Sequence, residues 1–210
     1  MSILLFFTSI ASDGLPVDTP HNDELHGDPS ANATQASILT IATVKKPWYA
    51  LSGMVIGKMK KSIPQYQAIK GLTQKIYCFA DDRKRIGGIY LWETEQQANN
   101  WFNVTWYSRT QQQYGEKGTV SNYTILQYTS FAAFPGQRGD YFAVLTQPGI
   151  VWAITPLIPG IIQEIKLKSS LGLLSSLILW QNKMTALEFL KDKGQDYTWF
   201  EAPIVMNVTH

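Results

Sequence analysis

The chain has 210 residues, 45% of them hydrophobic, a net charge of +2 and one cysteine. That is enough apolar material for a substantial core, in one domain or two small ones. A single thiol excludes an intrachain disulfide and a cysteine metal cluster, and a near-neutral balance without a recognised binding motif argues against a nucleic-acid partner.

The charge is unevenly spread. Residues 1–44 hold Asp13, Asp18, Asp23, Glu24 and Asp28 but no Lys or Arg, which leaves +7 for the rest. Ile3 to Ile10 is apolar yet too short to span a bilayer, and it lacks the basic side chains of a full export signal. Residues 1–36 therefore read as an apolar, then acidic leader: a disordered stretch or a weak export signal. Cytoplasmic and exported locations both stay open. Asn-x-Ser/Thr triplets at Asn32, Asn103, Asn122 and Asn207 bear on glycosylation only in a eukaryotic secretory path.

Ser37 to Val44 is β-branched and apolar, which predicts a strand. Pro47 sits at a helix-start position, and Trp48, Leu51, Val55 and Met59 follow at helical spacing, so a helix is expected to about Lys61 with Pro64 interrupting or kinking it. Gly71 opens a strand through Phe79, where Cys78 reads as inert packing. Asp81 to Arg85 is a charged hairpin turn before the strand Gly87 to Trp92. That strand is apolar or aromatic on both faces, so it must be covered on both sides. Thr94 with Gln97 three residues on is a capping box, and Ala98, Trp101, Phe102 and Thr105 continue its helix. Asn122 to Tyr128 supplies the next strand. After a turn-rich Phe134 to Gly139, the order repeats: a strand at Tyr141 to Leu145, a shorter helix within Gly149 to Leu157, and strands near Ile161–Lys168 and Gly172–Trp180. A helix capped by Asn182 and a last strand from Thr198 to Val208 complete it.

The repetition is also one of residues. Gly71-Leu72-Thr73-Gln74-Lys75-Ile76 returns as Gly160-Ile161-Ile162-Gln163-Glu164-Ile165, and Ile89-Tyr90-Leu91-Trp92 returns as Leu177-Ile178-Leu179-Trp180. Ala98 and Trp101 return as Ala186 and Phe189. The expected organisation is a leader over 1–36, a ferredoxin-like βαββαβ unit over 37–133, a linker over 134–139 and a second, diverged unit over 140–210. The fold class is α+β.

Ile69 to Tyr77, Gly87-Gly88-Ile89-Tyr90-Leu91-Trp92 and Glu95-x-x-Ala98 together resemble the YdhR-type mono-oxygenases of the antibiotic-biosynthesis mono-oxygenase superfamily. The resemblance covers roughly Ser37 to Tyr128. It is weak in the second half, where Ser175-Ser176 replaces the double glycine. It implies that two units pair their antiparallel sheets into an α+β barrel, here as a pseudo-dimer within one chain, with a monomer or weak homodimer as the assembly. It also implies oxidation of a small aromatic or polyketide-like compound by dioxygen.

The residues narrow the chemistry. All three histidines, His21, His26 and His210, lie outside both units, which removes a proximal haem ligand, a histidine metal site and a His-dependent triad from the body. No cofactor or metal is therefore expected. A cofactor-free oxygenase needs an acceptor for the substrate's proton, a dry pocket and donors for the developing oxyanion. Tyr90, Tyr77, Asn100 and Arg109 are the candidate catalytic groups, with Trp92, Trp101, Tyr66 and Trp106 as candidate substrate-binding walls. The matched motif itself dictates none of them. Core packing is the competing role for most of these aromatics, and a non-catalytic ligand-binding or structural barrel is the competing function. Trp92 and Trp180 hold equivalent places in the repeat, which favours packing for that pair. Tyr90 becomes Ile178, so the fold does not require its hydroxyl, and any site is expected in the first unit.

Overall fold

A computed structural model describes residues 36–208 apart from Asp81 and Pro156. Residues 1–35 and the three histidines lie outside this range. The first unit contains β1 (Ile38–Lys45), α1 (Ser52–Gln67), β2 (Leu72–Ala80), β3 (Arg85–Trp92), α2 (Glu95–Trp101), α3 (Val104–Tyr114) and β4 (Thr119–Ser130). The second contains β5 (Arg138–Thr146), β6 (Ile161–Ser169), β7 (Leu174–Trp180), α4 (Lys183–Leu190) and β8 (Tyr197–Asn207). No helix among the described residues is long and apolar enough to cross a membrane.

The strands close into an eight-stranded antiparallel barrel in the order β4-β1-β3-β2-β8-β5-β7-β6, with β6 returning to β4. Each unit supplies four consecutive strands in ferredoxin-like order. The units meet at two seams, β2 with β8 and β4 with β6. These seams are equivalent under exchange of the units. The two halves share a register: Leu72 faces Trp92 and Gln74 faces Leu91, with a bulge between, while Ile161 faces Trp180 and Gln163 faces Leu179, with a bulge in the same place.

Alternation along each strand divides the core. Ile76, Cys78, Ile89 and Leu91 point into the barrel and meet Ile165, Leu167, Leu177 and Leu179 of the second unit. Burial pushes the Cys78 thiol up to about 12, consistent with inert packing. Tyr77, Phe79, Tyr90 and Trp92 point outward, under the helices of the first unit. Phe142, Ile178 and Trp180 do the same beneath α4. The indole N–H groups of both Trp92 and Trp180 are buried without an acceptor, so the two equivalent tryptophans serve packing at the strand-to-helix junction. At the barrel centre Gln74 and its repeat equivalent Gln163 bond reciprocally, Nε2 to Oε1, at 3.5 and 3.1 Å. Asn207 and Tyr128 complete their hydrogen bonding.

Several elements depart from expectation. The first helix starts at Ser52, not Pro47; residues 47–50 form a turn in which the Ala50 N–H donates to the Pro47 carbonyl. It also runs through Pro64. A proline so near the end removes little of the helical ladder, and the Pro64 carbonyl still accepts from the Ala68 N–H. The helix that Thr94 caps breaks at Phe102, and Asn103 caps a new one by accepting from the Trp106 N–H. The expected helix within 149–157 does not form. Pro148, Pro156 and Pro159 leave little room for one, Gly149 is left-handed, and its N–H and the Ile150 carbonyl are tied to β7 and β5 instead. β5 already begins at Arg138.

Gly87 explains half of the double glycine. A Cβ there would stand 1.9 Å from the Ala42 carbonyl oxygen of the neighbouring strand. Gly87→Ala should therefore force β1 and β3 apart and cost about 2–3 kcal/mol, a melting-temperature drop of roughly 4–12 °C in calorimetry. A variant that melts with the wild type would contradict this close approach.

Candidate active site

The outer face of the first sheet and the three helices over it line a partly open cavity of about 180 Å³. β2 contributes Lys75 and Tyr77, β3 contributes Gly87 and Tyr90, and β1 contributes Ala42 and Val44 to its floor. From above come Met59, Ser62 and Tyr66 of α1, Trp101 of α2, and Trp106, Arg109 and Tyr114 of α3. Period-two alternation aims Lys75 and Tyr77 to this side of β2, and the spacing of 59, 62 and 66 puts those residues on one face of α1.

Six of the eight candidate residues come together here: Tyr66, Tyr77, Tyr90, Trp101, Trp106 and Arg109. Two do not. Asn100 lies on the exposed side of α2, because the helix turns Ala98 and Trp101 inward and leaves positions 99 and 100 to solvent. Trp92 is fully buried beneath the site, stacked on Tyr90 at 6.0 Å and edge-on to Phe102 at 6.2 Å, and does not reach the cavity. The sequence reading missed Lys75, although it sits inside the repeated motif. Its signal was the replacement of lysine by Glu164 in the second copy.

The rings lock one another. Tyr66 meets Tyr77 edge-on at 5.8 Å, Tyr90 at 6.0 Å and Trp101 at 5.6 Å. Tyr90 and Trp106 both pack on Phe102 at 5.1 Å. Ser62 Oγ lies 3.1 Å from the Tyr77 hydroxyl, and the Trp101 indole N–H is buried with no acceptor. Burial raises the hydroxyl pKa of Tyr66, Tyr77 and Tyr90 above the ordinary tyrosine value, and that of Tyr114 to about 12. At neutral pH the cavity thus presents phenol donors, not phenolates. Arg109 adds a fixed positive charge, with no carboxylate partner among the described residues.

Lys75 is only 2% exposed, and its Nζ lies 2.9 Å from the Tyr66 ring centroid, 4.0 Å from that of Tyr77 and 4.7 Å from that of Tyr90. Two effects oppose each other. The aromatic faces favour an ammonium by about 2 kcal/mol at most, whereas full burial without a counter-ion disfavours the charged amine more strongly. Burial wins, and the amine is held well below the usual lysine range. Gly88 leaves room beside this side chain: a Cβ there would stand 3.1 Å from both Lys75 Cε and the Tyr90 ring, so that one of them would have to shift by a few tenths of an ångström.

An antiparallel barrel of two ferredoxin-like units with an aromatic cavity between sheet and helices is an α+β barrel. Residues 46–133 match the family described as "Putative mono-oxygenase ydhR". That stretch holds every cavity-lining residue except Ala42 and Val44. An anthrone oxidase-like protein of known structure superposes with a TM-score of 0.57 at 13% identity, over 85% of this chain and 96% of the other. A putative monooxygenase from Fusobacterium nucleatum subsp. nucleatum gives 0.57 at 8% identity, over 82% and 94%. Both likenesses extend over more of the chain than the first unit alone can supply, and both show the fold. No curated protein matches the sequence.

The amine makes stability depend on pH. Below about 10.4 the unfolded chain protonates Lys75 whereas the folded cavity resists it, so the unfolded state binds more protons. Stability should rise with pH from the lowered folded-state value of this amine up to the ordinary lysine range, by up to about 1.4 kcal/mol per pH unit from this group. Lys75→Met should remove that contribution and raise stability at pH 7, as read by urea unfolding at pH 7, 8 and 9. An unchanged slope would mean that the amine is already charged in the folded protein.

Proposed function

We propose that this protein is a cofactor-independent mono-oxygenase that oxidises a small aromatic or polyketide-like compound with dioxygen in the first-unit cavity. The observation that carries this reading is the cavity itself: aromatic walls, several phenol donors, an orphaned indole N–H and an arginine, all within the stretch that matches the mono-oxygenase family. An apolar cavity of about 150 Å³ is enough to hold benzene, so this one is of a size for a flat aromatic ligand. Among the described residues the lining contains no His, Cys, Asp or Glu, so a metal would find no customary side-chain ligand among them. A substrate that gives an electron to dioxygen once deprotonated needs none.

In this reading Trp101 and Trp106 flank the ligand plane. The hydroxyls of Tyr66, Tyr77 and Tyr90 donate to the ligand's oxygen and to the oxyanion or peroxide that develops on it, and Arg109 opposes the anion's charge. Because these donors are fixed before the ligand arrives, they need not reorganise during reaction. Their raised pKa values keep them protonated across the neutral range.

Oxygen uptake with a panel of anthrones and quinols, in the presence of a metal chelator, tests the proposal. Turnover is expected. Tyr90→Phe should lower kcat at least about tenfold, since one lost oxyanion donor commonly costs more than that, with little change in melting temperature. Tryptophan quenching by the same compounds without oxygen uptake from any of them would favour the ligand-binding barrel.

A further inference from the structure

We infer that Lys75 is the catalytic base of this cavity: its Nζ accepts the acidic C–H or O–H proton of a flat, neutral aromatic ligand, and Gly88 is the positioning residue that leaves room beside the lysine. The inference rests on the proposed oxygenase function for the steps after proton removal, but not for the proton transfer itself.

The two units place different chemistry on one scaffold. Lys75 faces Tyr90 across β2 and β3, and Glu164 faces Ile178 at the corresponding register of β6 and β7. In the second unit Ser176 stands where the first has Gly88, and its hydroxyl donates to Glu164 Oε1 at 3.0 Å. There the buried polar group is satisfied by a neighbour. In the first unit the glycine removes that neighbour, and Lys75 is left facing the cavity with rings about it and no carboxylate within ion-pair distance among the described residues. The barrel itself does not call for a lysine here. A methionine would pack the same space without the cost of burying an amine.

The surrounding groups leave the proton to Lys75. Those that face the cavity are Lys58 and Tyr66 of α1, Tyr77 of β2, Tyr90 of β3, and Arg109 and Tyr114 of α3. No carboxylate is among them. The phenols are held protonated by burial and a guanidinium accepts no proton, so the Lys75 amine, which burial biases toward its uncharged form, is the acceptor nearest the rings. For a methylene flanked by aryl groups, the amine takes one C–H proton and becomes an ammonium, leaving a carbanion stabilised by Arg109 and the phenol donors. The carbanion adds dioxygen, its C–O bond forming as the electron pair passes to oxygen, and the ammonium returns its proton to the terminal peroxide oxygen. Loss of the remaining C–H proton to the amine, with departure of hydroxide that collects that proton, gives a ketone and water. One dioxygen is consumed, one oxygen atom stays on carbon, and Lys75 ends as it began. An O–H acid passes through the same first step.

Hydrogen–deuterium exchange at the methylene of anthrone, followed by NMR under nitrogen, isolates that first step from oxidation. The wild type is expected to speed exchange above buffer, with a rate that rises with pH until the amine is fully neutral. Lys75→Met should fold, lose the acceleration by at least a hundredfold and lose the pH dependence. Lys75→Ala should regain exchange with added n-propylamine, which a purely structural role would not allow. Gly88→Ala, with the lysine intact, should slow exchange several-fold. Equal exchange by the wild type and Lys75→Met, or none by the wild type, overturns the inference, even if oxygen is consumed. Exchange that depends on Lys75 without oxygen uptake when air is admitted leaves the base in place and overturns the oxygenase reading.

Discussion

Closure of the barrel is the constraint on which the rest depends. A four-stranded sheet of either unit alone would expose two edges of unpaired N–H and C=O groups and one apolar face. The seams β2–β8 and β4–β6 satisfy both edges of both sheets at once, and the apolar faces become one interior. Because the seams are equivalent, each unit solves the other's problem in the same way. The reciprocal pair Gln74 and Gln163 shows this at the centre, where a residue bonds to its own counterpart.

Once the interior is filled by the two inward faces, only the outward faces are left for a ligand. They differ in cover. The first is roofed by α1, α2 and α3, which stand off the sheet enough to leave a cavity. Over the second lie α4 and an irregular segment in which Trp152, Ile154 and Ile158 pack directly on the core. Asymmetry of cover accompanies asymmetry of chemistry: the lysine, the glycine beside it and the polar-tipped rings all belong to the roofed side.

Much of the fold was legible in the sequence. Two residue types facing opposite ways along Ile89 to Trp92 required a layered strand, and the repeated Gly-x-x-Gln and apolar-Trp pieces marked paired units. What was not legible has local physical causes. Pro64 reads as a breaker anywhere in a helix, yet near the C-terminal end it removes little of the ladder. Residues 149–157 have apolar residues enough for a helix, but prolines on either side and bonds to β5 and β7 hold them irregular. Asn103 as a second cap was visible in principle, but the continuing helical spacing through Thr105 masked the break at Phe102.

The site divides along the same line. Composition alone argued that no histidine chemistry operates in the body, and the comparison of copies pointed to the first unit. The aromatic candidates came from residue type, and most of them line one cavity because helix and strand periodicity place them there. Whether a given ring is wall or core was a different matter. Trp92 and Trp101 look alike in sequence, but Trp92 sits at the strand-to-helix junction beneath the layer that Trp101 helps to roof. Asn100 and Arg109 are both polar helix residues, and only the helix rotation against the sheet separates solvent from cavity. Lys75 is the clearest case. Nothing in a lysine flanked by glutamine and isoleucine announces an amine held below the usual lysine range, since that shift arises from burial and from the lack of a counter-ion among rings contributed by three separate elements. The order of residues was sufficient for the α+β class and the antiparallel strands, because those depend on local pattern. Three-dimensional packing settled which side chains share a desolvated space, and with it their protonation, because solvation and neighbouring charge are set by residues far apart in the chain.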